Sequence, residues 1–154
     1  MNQKATADYQ LAQLNVAEFL TSRDAPEVTD FIHALDEINT LADTSDGFVW
    51  RLQDEVGDAM SFTPFGDNMI VNLSVWRDRE SLFEFTYKSA HAGIMARRKE
   101  WFKMPRENHF VLWWVPAGHV PTIDEAADRL SILQSEGPSP LAFSFKQHFE
   151  PLGF

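Results

Sequence analysis

Between Tyr87 and Phe102, side chains able to do chemistry recur at helical spacing. At about 100° per residue, Tyr87, His91, Met95, Arg98 and Phe102 fall on one stripe, while Arg97 and Lys99 point away from it. A phenol, an imidazole and a guanidinium on a core-facing stripe must be paired or line a cavity, because buried polar groups without partners are costly. In a functional reading, His91 is the proton acceptor, since imidazole titrates near neutral pH. Arg98 holds an anionic oxygen of a ligand, or of a developing enolate or phenolate. Tyr87 orients either one. In a structural reading, Arg98 pairs with Glu84 or another acid and His91 makes a single hydrogen bond.

A second set sits on strand-like segments. Met69 to Trp76 alternates cleanly, with Met69, Val71, Leu73 and Val75 on one face and Ile70, Asn72, Ser74 and Trp76 on the other. Asn72 and Ser74 either serve a pocket or bond a neighbouring strand. Of the five Trp residues, Trp50 and Trp76 are the candidates to line such a pocket, where indole offers an apolar wall and one donor.

Other chemistries find no support in the residue pattern. The 154 residues include no Cys, so thiolate ligands, disulfides and Cys nucleophiles are excluded. The five His residues (33, 91, 109, 119 and 148) lack close ligand spacing, so no metal site is expected. Gly57, Gly66 and Gly93 are isolated and make no phosphate loop, and there is no nucleophile elbow. The formal charge of −10 repels phosphate backbones, which argues against nucleic acid and anionic membranes as partners. No apolar run has the length of a membrane span. Met1 to Asp8 is polar, reads as a flexible terminus and lacks a signal-peptide core, so a cytoplasmic location is expected.

The elements that must position these groups form one domain over residues 9–154. Tyr9 to Val16 reads as a strand, with Tyr9, Leu11, Gln13 and Asn15 on one face. A helix is expected from Pro26 to about Ala42, behind Asp24 as a possible cap, with Val28, Phe31, Ile32, Leu35, Ile38 and Ala42 as its core stripe and Asn39 within it. Phe48 to Gln53 is a strand with Phe48, Trp50 and Leu52 on one face. The acidic connection over 54–68 carries Met60, Phe62 and Phe65, as a cap on the core edge or as a flap over a cavity. Helical pattern then spans Glu80 to Lys103, with a break near Ser89. His109 to Val115 is an apolar strand. Thr122 and Glu125 have capping-box spacing at the start of a last helix, which Gly137-Pro138 ends. Phe143, Phe145, Gln147 and Phe149 alternate as a short extra strand would.

Without its C-terminal extension this order is the split βαβ, ferredoxin-like pattern of an α+β domain with an antiparallel sheet. Helices cover such a sheet on one face only, yet the strands here are apolar on both. A second copy stacked across a two-fold axis would bury the other face and make a homodimer. The alternative is that the C-terminal helix and tail cover it within the chain.

The run Val71-Asn72-Leu73-Ser74-Val75-Trp76-Arg77-Asp78-Arg79-Glu80-Ser81-Leu82, followed by Tyr87-Lys88-Ser89-Ala90-His91, resembles the dimeric α/β-barrel superfamily. More closely, Tyr9 to Asn15, Gly47 to Gln53, Arg97 to Phe102 and Val111 to His119 resemble the bacterial domain-of-unknown-function family 3291, a relative of the antibiotic-biosynthesis monooxygenases. That resemblance implies one of two ligand chemistries. One is a cofactor-independent monooxygenase-like oxidoreductase acting on an aromatic or enolisable compound. The other is non-catalytic binding of an apolar ligand or haem, for which Asn15 and Trp76 match two superfamily positions. His91 sits earlier than the haem-ligating His would, and Met95 lies near that place. A structural module with a filled core is the third reading, and no cofactor is expected.

Overall fold

The computed structural model describes residues 8–22, 25–53, 65–66, 68–88, 93, 97–104 and 108–151. Strand β1 (Tyr9–Glu18) is central, because its alternating side chains are nearly all withdrawn from solvent. It pairs antiparallel with β3 (Met69–Trp76), with Leu11 opposite Trp76 and Glu18 opposite Met69. On its other edge it pairs antiparallel with β4 (Phe110–Pro116), from Tyr9 opposite Pro116 to Asn15 opposite Phe110. The fourth strand, β2 (Phe48–Arg51), lies outside β3, also antiparallel, so the order is β2-β3-β1-β4. Among the described residues three helices complete the α+β fold: α1 (Thr29–Asp43), α2 (Arg79–Lys88) and α3 (Ile123–Glu136). None of the described helices is long and apolar enough to cross a membrane.

Period-two alternation sorts the strand residues into two layers. Ala12, Leu14 and Val16, with Val71, Leu73 and Val75 and with Val111, Trp113 and Val115, form one layer. Ala126, Leu130 and Leu133 of α3 pack into it. The face that the sequence assigns to a second sheet is therefore covered by a helix of the same chain, and its apolarity no longer demands a partner. Thr122 Oγ1 accepts from Glu125 N at 3.0 Å, as the capping box predicts. The Glu125 carboxylate goes elsewhere: it accepts from the buried Trp113 Nε1 at 2.9 Å and meets His119 Nε2 at 2.7 Å. One side chain thus ties α3 to the sheet and to the turn before it.

On the opposite face, Ala42 of α1 and Leu82 of α2 pack with Leu11, Trp76, Leu112 and Phe143. Phe31 of α1 belongs to a neighbouring cluster with Phe19, Val28, Ile70 and Trp101. The chain enters α1 through a 3-10 turn at Pro26–Val28, and Ala25 at its cap position makes no side-chain cap bond. Asp24, the expected cap, lies outside the described residues.

Two expectations fail for reasons that only pairing reveals. Phe48 opposes Trp76 and Trp50 opposes Val75, so two β2 residues span one step of β3. This bulge reverses the alternation. Phe48 packs on the helix face against Trp76, whereas Trp50 and Leu52 pack on the α3 face. The helical reading also fails over 97–103. α2 spans Arg79–Lys88, in keeping with the expected break near Ser89, but Arg98–Glu100 is a 3-10 turn. The following backbone pairs with the end of β1 instead: Leu20 N donates to Trp101 O, Lys103 N donates to Glu18 O, and Phe19 bridges Phe102. Trp101, 3 % exposed, is the anchor that draws this segment onto the strand. Among the described residues the tail joins the sheet by one antiparallel rung, Leu112 with Phe143, and makes two bridges within itself, Ser139 with Ala142 and Ser144 with Gln147, rather than a strand.

Gly47 fixes the approach of β2 to α2. Its φ is +84°, and a Cβ there would overlap the Ser81 side chain, which donates to Asp78 Oδ1 at 2.7 Å. Asp78 also accepts from Ser81 N at 2.8 Å and so caps α2. Gly47→Ala should therefore destabilise the fold by about 2 kcal/mol or more, the left-handed penalty plus the displaced Ser81. Urea denaturation measures this, and an unchanged midpoint would refute the close approach.

Candidate functional site

Two rungs of β1 and β3 place polar side chains side by side on the face toward α1 and α2. Gln13 opposes Ser74, Asn15 opposes Asn72, and Trp76 lies beyond Ser74 on the same face. Gln13 Nε2 lies within hydrogen-bond reach of Ser74 Oγ (2.7 Å), Asn72 Oδ1 and Asn72 O (3.2 Å). Trp76 Nε1 donates to the same Ser74 Oγ at 2.9 Å. Trp76 is held further by stacking on Phe85, at 5.0 Å between centroids, and by the edge of Phe48 at 5.4 Å.

Gln13 Nε2 has more acceptors within reach than it has protons. An amide nitrogen carries two protons, and Gln13 Nε2 faces three acceptors. Ser74 Oγ already receives two bonds, from Gln13 and Trp76. Asn15 Oδ1 is buried with no hydrogen-bond partner. Rotation of the Asn15 amide exchanges its oxygen and nitrogen, so the residue can offer either to a neighbour.

These residues border a cavity of about 1110 Å³. Its walls include Leu35, Ile38 and Asn39 of α1, Phe85 of α2, and Trp101 and Phe110. Leu130 and Gln134 of α3 also line it, so the void wraps round the end of the sheet where Glu18, Met69 and Phe110 lie. That size exceeds what a filled core leaves and suits a small organic molecule.

Six of the sequence-predicted residues line this cavity: Asn15, Asn72, Ser74, Trp76, Tyr87 and Arg98. Tyr87 is 46 % exposed, with its ring against Phe83 and Phe145 at 4.7 and 5.7 Å. Arg98 is exposed and reaches the cavity from its 3-10 turn, not from a helix continuous with Tyr87. Trp50 does not belong here, because the bulge turns it to the other face. His91 and Met95 lie outside the described residues, as do Met60 and Phe62 of the proposed flap. Phe65 borders the cavity.

Sequence reasoning missed Gln13, Asn39, His109 and Lys146 as lining residues. Gln13 was within reach, since it shares a strand face with Asn15. His109 and Lys146 carried no local signal. His109 has its pKa pushed below the usual imidazole value by burial first, then by the positive charges of Arg98 and Lys146.

The sequence matches the domain-of-unknown-function family DUF3291 over residues 10–153. The chain belongs to that family. No functionally curated protein matches it. Among solved structures, it is similar to the NE2512 protein of unknown function from Nitrosomonas europaea, at 15 % identity and TM-score 0.46, covering 75 % of this chain and 98 % of that one. PA3566 from Pseudomonas aeruginosa is similar at 11 % identity and TM-score 0.47, with 73 % and 98 % covered. Rv0793 from Mycobacterium tuberculosis follows at 15 % identity and TM-score 0.45, with 73 % and 99 % covered. Within this DUF3291 chain the polar centre and the cavity are properties of its own residues.

Ser74→Ala should cost about 1–3 kcal/mol in urea denaturation, because Trp76 Nε1 is then buried without an acceptor. A neutral result would show that the centre contributes nothing to stability. His109 sets a pH dependence. Its folded pKa lies below the ordinary value of 6.5, so the unfolded chain takes up its proton first as pH falls. The stability that His109 contributes is full above pH 6.5 and is lost as pH drops toward the folded pKa. His109→Gln should flatten that part of the stability profile; an unaltered slope would exclude His109 as its source.

Proposed function

We propose that this DUF3291 protein binds a hydroxylated aromatic small molecule between its sheet and helices α1 and α2. The observation that carries this reading is the acceptor-rich centre in the cavity wall, where two Gln13 protons face three acceptors. Asn72 is exposed and borders the cavity, so a ligand hydroxyl can reach it. The apolar walls then take the ring, as aromatic ligands require.

The strand order, with its β–α–β–β–α–β succession, supports a ferredoxin-like assignment within this reading. The proposed relation to antibiotic-biosynthesis monooxygenases brings in oxidation of such a ring as the chemistry. Tyr87 and Arg98 border the cavity in support of it, while the proton acceptor it needs, His91, lies outside the described residues. Binding needs none of that chemistry and no cofactor. A homodimer now rests on the family resemblance alone, since α3 occupies the apolar face that had argued for it.

Titration with 6-hydroxy-2-naphthamide and with 2-naphthamide, followed by tryptophan quenching and calorimetry, tests the reading. The hydroxylated probe should bind about five- to tenfold more tightly, the worth of one net hydrogen bond. Absence of binding by both probes would sink the proposal, and equal affinities would remove the polar centre from it.

A further inference from the structure

The charges around the cavity run against those of the whole protein. The chain has 13 Lys and Arg against 23 Asp and Glu. Among the described residues lining the cavity, the basic ones are Arg51, Arg98, Lys103 and Lys146, and the only acid is Glu18. Two of these cations are already neutralised. Arg51 Nε meets Asp43 at 2.7 Å, and Lys103 Nζ meets Glu18 at 2.7 Å. Arg98 and Lys146 make no ion pair with any described residue. Both act on the same imidazole, His109, which borders the cavity and is half-buried. Arg98, Lys146 and His109 thus all border the same void.

Two like charges on the wall of one void, in a protein with a large excess of acid, give that wall a local attraction for an anion. From this juxtaposition we infer that the ligand carries a carboxylate, which Arg98 and Lys146 hold at the cavity rim while the aromatic body lies inward. The inference rests on the binding reading above and narrows it to an aromatic hydroxy acid. Guanidinium supplies paired donors to such a group, and ammonium supplies a point charge. Burial and the charges of Arg98 and Lys146 lower the pKa of His109, which disfavours a third positive charge beside them.

The test compares 6-hydroxy-2-naphthoate with 6-hydroxy-2-naphthamide, which share ring and hydroxyl and differ in charge. The acid should bind the protein about tenfold more tightly than the amide at low ionic strength, the scale of two exposed ion pairs. That advantage should shrink as salt is raised, because exposed charges are screened. Arg98→Gln and Lys146→Gln should each reduce the acid-to-amide ratio, and the double variant should bring it close to one. Lys99→Gln, an exposed cation in the same turn that does not border the cavity, should leave the ratio as it is. Equal binding of acid and amide overturns the carboxylate inference while the binding site stands. An advantage that persists in the double variant overturns the assignment to these two cations. If neither probe binds, the binding reading falls and this inference falls with it.

Discussion

Strand β1 has hydrogen-bonded neighbours on both edges and packed layers on both faces, so each of its side chains must suit a largely buried environment. Ala12, Leu14 and Val16 meet that condition by being apolar against α3. Gln13 and Asn15 do not, and the neighbouring strand has to answer them. Ser74 and Asn72 stand opposite, at the register that antiparallel pairing dictates. A shift of β1 by one residue would send Gln13 and Asn15 toward α3, away from Ser74 and Asn72, and Ala12, Leu14 and Val16 toward the cavity. Register and polar centre are thus a single constraint.

The rest of the architecture serves that strand. α3 closes one side through three apolar contacts and the Glu125 bonds to Trp113 and His119. α1 and α2 close the other side incompletely, and the incompleteness is the cavity. The edge of β4 is protected by the tail. Phe143 exchanges two backbone hydrogen bonds with Leu112, at 2.7 and 2.9 Å, and Trp114 Nε1 donates to Phe149 O at 2.8 Å. Covering an edge in this way prevents it from recruiting another strand. The same tail stacks Phe145 on Phe110 and brings Lys146 to the cavity rim.

Electrostatics divides the molecule in a similar way. Asp46 and Asp78 both have carboxyl pKa values below the ordinary range. Hydrogen bonding and charge from Arg77 lower that of Asp46. For Asp78, burial acts in the opposite sense but is outweighed by hydrogen bonds from Ser81 and Arg77. Those acids hold the start of α2 to the turn before β2. At the cavity Arg51 and Lys103 are likewise paired, with Asp43 and Glu18, whereas Arg98 and Lys146 have no acidic partner among the described residues, and the His109 pKa is lowered by burial and by those two charges.

Alternation in β1 and β3, the capping residue Thr122 and the Gly137 stop were legible in the sequence, because each depends on residues within a few positions of one another. So were Asn72, Ser74 and Trp76 as one face of β3, since strand periodicity assigns that face without reference to its partners; Asn15 joins them only through the pairing of β1 with β3. The bulge that sends Trp50 to the opposite layer was not legible, because it exists only in the pairing of β2 with β3. Nor was the path of 97–103, where Trp101 and the end of β1 compete with helix for the backbone and prevail through tertiary contacts, although the break near Ser89 was. The placing of α3 on the second sheet face was open between a helix of this chain and another copy, as both would bury the same apolar residues. Lys146, His109 and Arg98 lie far apart in the chain and share no pattern. Only the folded chain, by closing the tail and the 97–103 segment around the end of the sheet, brings their charges to one rim.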